Sequence, residues 1–208
     1  APVTATPTPT AGPPTNTPTA TATFTATPTA GPGDTLTFTA VADARVSESS
    51  PITNYGNATT LLIDTGTGVT QNGFIRFDAS GISSSVQSAK LRVFTTTNGT
   101  NNGPAVYLAD NNWIEKGTGG VTWSTQPALL SGGFDDKGAI AGNTWVEYDV
   151  TALVSGNGTY TFALIADGMD GVTFYSRESA SDPQLVVTLG TGSSGATNTP
   201  TATPTPTG

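Results

Sequence analysis

The sequence contains neither cysteine nor histidine among its 208 residues. Without cysteine there is no disulfide bond and no thiolate nucleophile, and without both residue types the usual structural zinc sites are excluded. A Ser-His-Asp triad needs an imidazole and is excluded as well. Most familiar enzyme mechanisms are therefore absent from this chain.

Paired carboxylates, as in glycosidases, are the acid–base chemistry that remains. The neighbours Asp135 and Asp136, and the pair Asp167 and Asp170, lie in predicted loops, where carboxylates usually form turns and otherwise bind calcium. Asp167 and Asp170 do not have EF-hand spacing. We therefore expect no enzymatic activity and no required cofactor, and we keep Asp167 and Asp170 as candidate ligands of Ca²⁺.

Positive charge is also scarce, because 7 Lys and Arg residues stand against 15 Asp and Glu residues, for a net charge of -8. A chain with this balance repels phosphate, so we expect no nucleic-acid partner. No apolar run approaches the roughly 18 residues of a membrane-spanning helix. The sequence therefore predicts no membrane span.

Charge and proline divide the chain into three parts. All charged residues lie in 34–189, whereas residues 1–33 and 190–208 carry no charge and hold 8 and 3 of the 15 prolines. A segment of roughly 150 residues is long enough for one hydrophobic core. Thr alternating with Pro or Ala offers little to bury and favours polyproline II. We predict a folded domain at 34–189 between two Thr/Pro-rich arms.

Thr-Pro alternation is typical of O-glycosylated stalks, in which covalent glycans stiffen the chain; the alternative is an unmodified linker. The candidate acceptors are Thr6, Thr8, Thr10, Thr17, Thr19, Thr27, Thr29, Thr199, Thr203, Thr205 and Thr207. The sequence begins at Ala1, without an initiator Met or a charged and apolar signal-peptide pattern, and stops within a Thr-Pro run. We expect a mature secreted protein or one unit of a tandem array, at the cell surface or in the extracellular space.

Residues 19–29 of the first arm, TATATFTATPT, alternate strictly and include Phe24, the only aromatic residue in either arm. Strict alternation with threonine is compatible with a β-strand. We therefore predict that 19–29 can add as an edge strand to its own domain or to a neighbouring one, with Phe24 as the anchor.

Within 34–189 the dominant pattern has period two, in short runs separated by Gly, Asn, Asp and Pro. The predicted strands are 35–41, 42–48, 60–64, 73–79, 86–97, 104–110, 121–124, 144–149, 159–167, 172–176 and 184–189. Only 151–154 suggests a helical turn. The pattern predicts an all-β jelly-roll sandwich.

Several short motifs follow one another in an order and spacing that are similar to a known family. They are Ala42-Asp43-Ala44-Arg45, Asn54-Tyr55-Gly56, Arg76-Phe77-Asp78, Ala89-Lys90-Leu91-Arg92, Trp113 with Glu115, Val121-Thr122-Trp123 with Pro127, Trp145 leading to Tyr148-Asp149-Val150-Thr151, Ser176-Arg177-Glu178 and Pro183-Gln184-Leu185-Val186-Val187. The segment 38–189 resembles the DNRLRE-type domain, also classed as the family-96 carbohydrate-binding module. The resemblance implies a non-catalytic jelly roll appended to secreted bacterial proteins, and it implies no particular ligand.

Sugar recognition favours exposed aromatic faces with convergent polar side chains. The glycan-binding candidates are Arg45, Tyr55, Trp113, Tyr175 and Arg177. Trp123 and Trp145 lie in predicted strands, where a large aromatic residue is more often part of the core.

The basic residues of the domain allow two interpretations. In the first interpretation, five of them form a patch that binds an acidic polysaccharide of the alginate type: Arg45, Arg76, Lys90, Arg92 and Arg177. In the other they pair with Glu48, Asp78, Glu147 or Glu178 across strands.

Two functions are consistent with these observations. The first is a structural or adhesive repeat unit, a sandwich on glycosylated stalks that associates with copies of itself or neighbouring repeats in a surface or secreted fibre. The second is a polysaccharide-binding module that tethers a secreted enzyme or a cell to its substrate. The regular arms favour the first by a small margin.

Overall fold

The period-two segments form strands in a computed structural model that describes residues 30–191. The strands of this part of the chain are Thr35–Thr39 (β1), Ala42–Ser47 (β2), Thr60–Ile63 (β3), Gln71–Ala79 (β4), Val86–Phe94 (β5), Ala105–Ala109 (β6), Trp145–Asp149 (β7), Gly158–Ile165 (β8), Val172–Tyr175 (β9) and Gln184–Leu189 (β10).

The strands form two four-stranded antiparallel sheets and one short pair. The first sheet has the order β1-β10-β5-β7, the second has the order β2-β4-β8-β6, and β3 pairs with β9. An isolated antiparallel bridge between Thr95, the residue after β5, and Phe174 of β9 connects the first sheet to the β3-β9 pair. Strands that are distant in sequence, such as β1 and β10, lie side by side. This is the all-β jelly-roll sandwich that the alternating pattern predicts.

The core lies between the two sheets and is built from every second residue of each strand. Leu91 of β5, Leu185 of β10, Phe77 of β4 and Phe162 of β8 are fully buried, and the rings of Phe77 and Phe162 are 6.1 Å apart. Tyr148 of β7 also points inward, and burial raises the pKa of its phenol. The core fixes which side chains of each strand point outward.

The outer faces of the two sheets differ in what covers them. The second sheet is buried on both faces, because the segment 110–125 folds over its outer side and packs Trp113 and Val121 against Ala44 and Phe74. The first sheet keeps a simple alternation of buried and accessible positions along β5, β7 and β10. Only the first sheet therefore presents an open outer face within the described part of the chain.

The predicted strand at 121–124 is wrong. In the structure Trp123–Thr125 forms a single 3₁₀ turn, in which the side chains of Thr122 and Thr125 contact each other at 3.1 Å and the N–H of Thr122 donates to the Thr125 hydroxyl. Short-range bonds of this kind compete with a strand ladder. The predicted helical turn is confirmed as a 3₁₀ turn at Thr151–Leu153.

Candidate functional site

The open outer face of the first sheet carries a group of three aromatic side chains. Phe94 ends β5 and lies opposite Trp145, the first residue of β7. Their ring centroids are 5.2 Å apart in an edge-to-face arrangement, and the ring of Tyr175 stacks on Phe94 at 6.2 Å. All three side chains are half-buried. We call these three residues the aromatic platform.

Polar side chains border the aromatic platform along β5, β7 and β10. The guanidinium of Arg92 lies 4.7 Å from the centroid of the Trp145 ring, and its Nη1 donates to Gln184 at 2.9 Å. Arg92 Nε lies 3.0 Å from an oxygen of Glu147, which sits directly across from Arg92 in the ladder. These contacts hold the guanidinium of Arg92 over the indole ring.

Glu147 neutralises a second cation on the same face. Lys90 Nζ donates to Glu147 Oε2 at 3.0 Å, and this hydrogen bond holds the pKa of Glu147 below its usual range. Lys90 is also paired in register with Asp149. The two cations and two carboxylates on β5 and β7 therefore balance in charge.

A groove of about 320 Å³ adjoins one side of the aromatic platform. Its lining comes from Trp145 and Glu147 on β7 and from the segment 137–141, including Lys137. The groove and the platform together form a continuous surface with aromatic faces, carboxylate and amide acceptors, and cationic donors. Such a surface suits a ligand with apolar faces rimmed by hydroxyl groups.

A second polar group, here called the carboxylate cluster, consists of Asp43, Glu115 and Glu178 with the cation of Arg177. Arg177 Nη1 donates to both oxygens of Glu115 at 3.0 and 3.1 Å and to Glu178 at 3.3 Å. The N–H of Arg177 donates to Asp43 at 2.7 Å, and the N–H of Asp43 donates to Glu115 at 2.9 Å. The cluster thus joins β2 to the segment 110–125 and to the chain after β9.

Asp43 is 1 % exposed, and burial raises its pKa from 3.8 to about 8. Glu178 and Glu115 add to this effect by repulsion. One oxygen from each of the three carboxylates lies within 4.8 Å of the others, an arrangement that matches the oxygen ligands of a divalent cation. In the structure, Arg177 and Lys116 supply the positive charge next to these groups.

Local backbone packing positions the cluster. Asn54 donates to the carbonyl groups of Glu115 and Val121, both at 2.8 Å. Gly56 lies so close to Glu115 that a Cβ at this position would overlap its carbonyl oxygen. The motif Asn54-Tyr55-Gly56 therefore fastens the segment that carries Glu115.

The structure separates the five predicted glycan-binding residues. Arg45 and Tyr55 lie together, with the guanidinium 4.4 Å from the ring centroid, and Arg177 belongs to the carboxylate cluster. Tyr175 lies on the aromatic platform. The candidate Trp113 offers no exposed ring face, since this residue is 8 % exposed and its indole N–H donates to the buried hydroxyl of Thr161 at 3.1 Å.

Phe94 and Trp145 were not among the predicted glycan-binding residues, and Arg92 was considered only as part of a patch for an acidic polysaccharide, although the sequence carries a signal for Trp145. Trp145 alternates in phase with Glu147 and Asp149, so the period-two pattern already places it on an outward face. Its expected place in the core is wrong. The basic residues pair mainly with carboxylates, namely Glu147, Glu115, Glu178 and Asp135, whereas Arg45 and Arg76 lie over aromatic rings.

The calcium candidates Asp167 and Asp170 fix a loop. Asp170 accepts from the backbone and side chain of Asn101 at 2.8 and 3.0 Å, and Asp167 accepts from Asn102 at 2.7 Å. Within residues 30–191 the grouping that matches a cation site is the carboxylate cluster and not this pair. Calcium binding by Asp167 and Asp170 stays a prediction.

The predicted glycosylated threonines and Phe24 lie outside the described residues, as does most of both arms. Glycosylation, the added strand at 19–29 and the fibre function that depends on them therefore stay predictions. Among the described residues the structure has no helix of the length and apolarity needed to cross a membrane.

A known family matches nearly all of the described residues. The model of carbohydrate-binding module family 96 matches residues 34–189, which include all the strands from β1 to β10. No curated protein matches the chain. The match includes the motifs on which the resemblance was based and extends over both the aromatic platform and the carboxylate cluster.

Proposed function

The chain belongs to carbohydrate-binding module family 96, and from this premise we propose that it binds a polysaccharide along the open face of the first sheet. The observation that carries the proposal is the aromatic platform of Phe94, Trp145 and Tyr175. It brings three partly accessible aromatic rings together beside a groove lined by Trp145 itself.

The chemistry of the platform supports stacking of sugar rings. A pyranose ring has an apolar face of C–H groups and a rim of hydroxyls, so it gains from an aromatic surface flanked by hydrogen-bonding groups. Trp145 provides the largest ring, and Glu147 and Gln184 provide acceptors beside it. Arg92 keeps the indole in one orientation, which lowers the entropy lost on binding.

The charge distribution favours an uncharged polysaccharide. On the open face Lys90 and Arg92 are balanced by Glu147 and Asp149, so neither cation is available to a uronate carboxylate at full strength. The whole chain has a net charge of -8 and repels polyanions. In this proposal an extracellular module tethers its parent protein or cell to a neutral glycan, with an acidic glycan as the competing outcome.

Replacing Trp145 with alanine is expected to weaken polysaccharide binding about tenfold or more, because the largest stacking surface is lost. Affinity electrophoresis on neutral gels, such as cellulose derivatives, xylan and mannan, and on acidic gels, alginate and polygalacturonate, identifies the ligand class. Calorimetry with the polysaccharide whose gel retains the protein then measures the change in affinity.

Thr37→Ala is a matched control, since this side chain also points outward from the first sheet but lies on β1, away from the rings. It should leave affinity unchanged. Retention that is equal for the wild type and Trp145→Ala would rule out the platform as the site. Retention on alginate alone, abolished by 0.5 M NaCl, would contradict the neutral ligand while preserving carbohydrate binding.

A further inference from the structure

The outer edge of β1 has no partner strand among residues 30–191. The N–H of Ala40 donates to Pro183 at 3.2 Å and the N–H of Leu189 donates to Asp34 at 2.8 Å, so even-numbered residues of β1 pair with β10. Because backbone groups alternate in direction along an antiparallel strand, those of Thr35, Thr37 and Thr39 point to the opposite side. β1 therefore presents a row of strand-type donors and acceptors.

Apolar side chains beside this edge are left partly uncovered. Leu36 and Phe38 point toward the core and pack against it, yet both are only half-buried. On the neighbouring strand the core-facing Leu185 and Val187 are fully buried. The surface of Leu36 and Phe38 is therefore placed where one more strand, added beyond β1, would cover it.

The edge of β1 also lacks the usual protection against strand addition. Protected edges carry charges, proline or bulges, or are covered by other segments. The edge of β6 is covered by the segment 128–135, in which Leu130 and Phe134 donate to the carbonyls of Leu108 and Val106 at 2.8 and 2.9 Å. β1 has the sequence TLTFT, without charge or proline, and its ladder with β10 is regular.

The sequence of the first arm contains a segment that matches β1. Residues 23–25, Thr-Phe-Thr, repeat residues 37–39, and over 19–27 every second residue is Ala or Phe with Thr between. As a strand this segment presents one threonine face and one apolar face. Its apolar face suits Leu36 and Phe38, and its threonine face continues the outward row of Thr35, Thr37 and Thr39.

We propose that residues 19–29 of a second copy of this chain add to the free edge of β1 as a further strand, with Phe24 covering Leu36 and Phe38. The path of the chain before β1 favours pairing between two copies over pairing within one chain. For a hairpin within one chain, Ala30 has to lie beyond the free edge. Instead Ala30 packs against the core, and its carbonyl accepts a hydrogen bond from Ser83.

Two variants of the full chain separate donor from acceptor. Phe24→Asp places a carboxylate where the donor strand is buried, and it is expected to raise the dissociation constant of self-association at least tenfold. Thr37→Pro removes an N–H that points away from β10, a position where edge strands tolerate proline, and blocks the acceptor. Thr23→Asp, on the threonine face of the donor, is the matched control.

Self-association is measured by sedimentation velocity over a range of protein concentrations. The protein is produced in a host that adds no O-glycans. We expect the wild type and Thr23→Asp to associate, and each of the other two variants to be monomeric alone. A mixture of Phe24→Asp and Thr37→Pro should form a dimer and no larger species, because one supplies the acceptor and the other the donor. Since both strands are uncharged, 0.5 M NaCl should not dissociate it.

Three results would overturn the proposal. One is association of Phe24→Asp and Thr37→Pro equal to that of the wild type. Another is a wild type that stays monomeric at all concentrations, in which case a lower melting temperature for Phe24→Asp would indicate pairing within one chain. The third is a mixture without dimer although circular dichroism shows both variants folded. Polysaccharide binding at the aromatic platform is measured separately and is independent of each result.

Discussion

Trp113→Ala is expected to lower the free energy of unfolding by about 3–5 kcal/mol, the range for removing a large buried aromatic side chain. Trp113, which belongs to the segment 110–125, packs against the outer face of the second sheet. Its loss opens a cavity there and leaves the fully buried hydroxyl of Thr161 without the indole donor. The guanidinium of Arg76, 4.9 Å from the Trp113 ring, loses its packing partner as well.

Urea denaturation monitored by circular dichroism measures this change. Trp113→Phe keeps an aromatic ring in the site but loses the N–H and part of the ring volume, so it should cost less than Trp113→Ala, ~2 kcal/mol. Trp145→Ala, the same substitution on the open face, should cost only ~1 kcal/mol, because that ring is only partly buried.

The two tryptophans are expected to behave in opposite ways when binding is measured. The folded fraction of Trp113→Ala keeps its affinity for polysaccharide, whereas Trp145→Ala stays folded and loses affinity. A stable Trp113→Ala protein without affinity for polysaccharide would contradict the assignment of the two faces.

Asp43 is expected to make the protein less stable as the pH rises from about 4 to about 8. Burial raises the pKa of Asp43 from 3.8 to about 8, so across this interval the folded chain keeps a proton that the unfolded chain has lost. Wherever the folded state binds more protons, raising the pH lowers the free energy of unfolding. The contribution of Asp43 is fully present below pH 3.8 and is lost as the pH passes about 8.

The groups that face Asp43 come from two segments, the chain after β9 and the segment 110–125. The N–H of Arg177 donates to it, while Glu115 and Glu178 repel its ionised form. Asp43→Asn keeps an oxygen that accepts from Arg177 and removes the ionisation. We expect the stability of this variant relative to the wild type to rise by about 4–5 kcal/mol between pH 4.5 and pH 8.5.

Urea denaturation at half-unit steps between pH 4.5 and 8.5 measures the two profiles. Asp78→Asn is the matched control, because it removes the same formal charge from an exposed position on β4. Its profile should run parallel to that of the wild type. If the profile of Asp43→Asn also runs parallel to the wild type, Asp43 is ionised in the folded protein throughout this range.

Most of the fold follows from the period of the sequence. Alternation such as that of Lys90, Leu91 and Arg92 fixes both the strand and its buried face, because successive side chains point to opposite sides. The segment 121–124 has a similar pattern but forms a turn, since Thr122 and Thr125 bond to each other. A side-chain bond across three residues is invisible to a period-two pattern.

The sites were harder to predict because burial depends on what covers each sheet. Trp113 lies among polar residues, which predict a loop, yet that loop folds over the second sheet and buries the Trp113 side chain. Trp145 lies in a strand and reads as core, yet nothing in 30–191 covers the outer face of its sheet. Local sequence does not reveal such long-range covering, and neither does it bring Asp43, Glu115 and Glu178 together from three distant segments.

The position of the two ends of the folded domain determines how it responds to tension. β1 and β10 are antiparallel neighbours, and the N–H of Gly33 donates to the carbonyl of Leu189 at 3.1 Å, so both flanking segments leave from the same end of the sandwich. A load applied through them peels β1 from β10 one hydrogen-bonded pair at a time and does not shear the whole ladder at once. A domain joined in this way lies to the side of the line of force, and β1 is the first strand to detach.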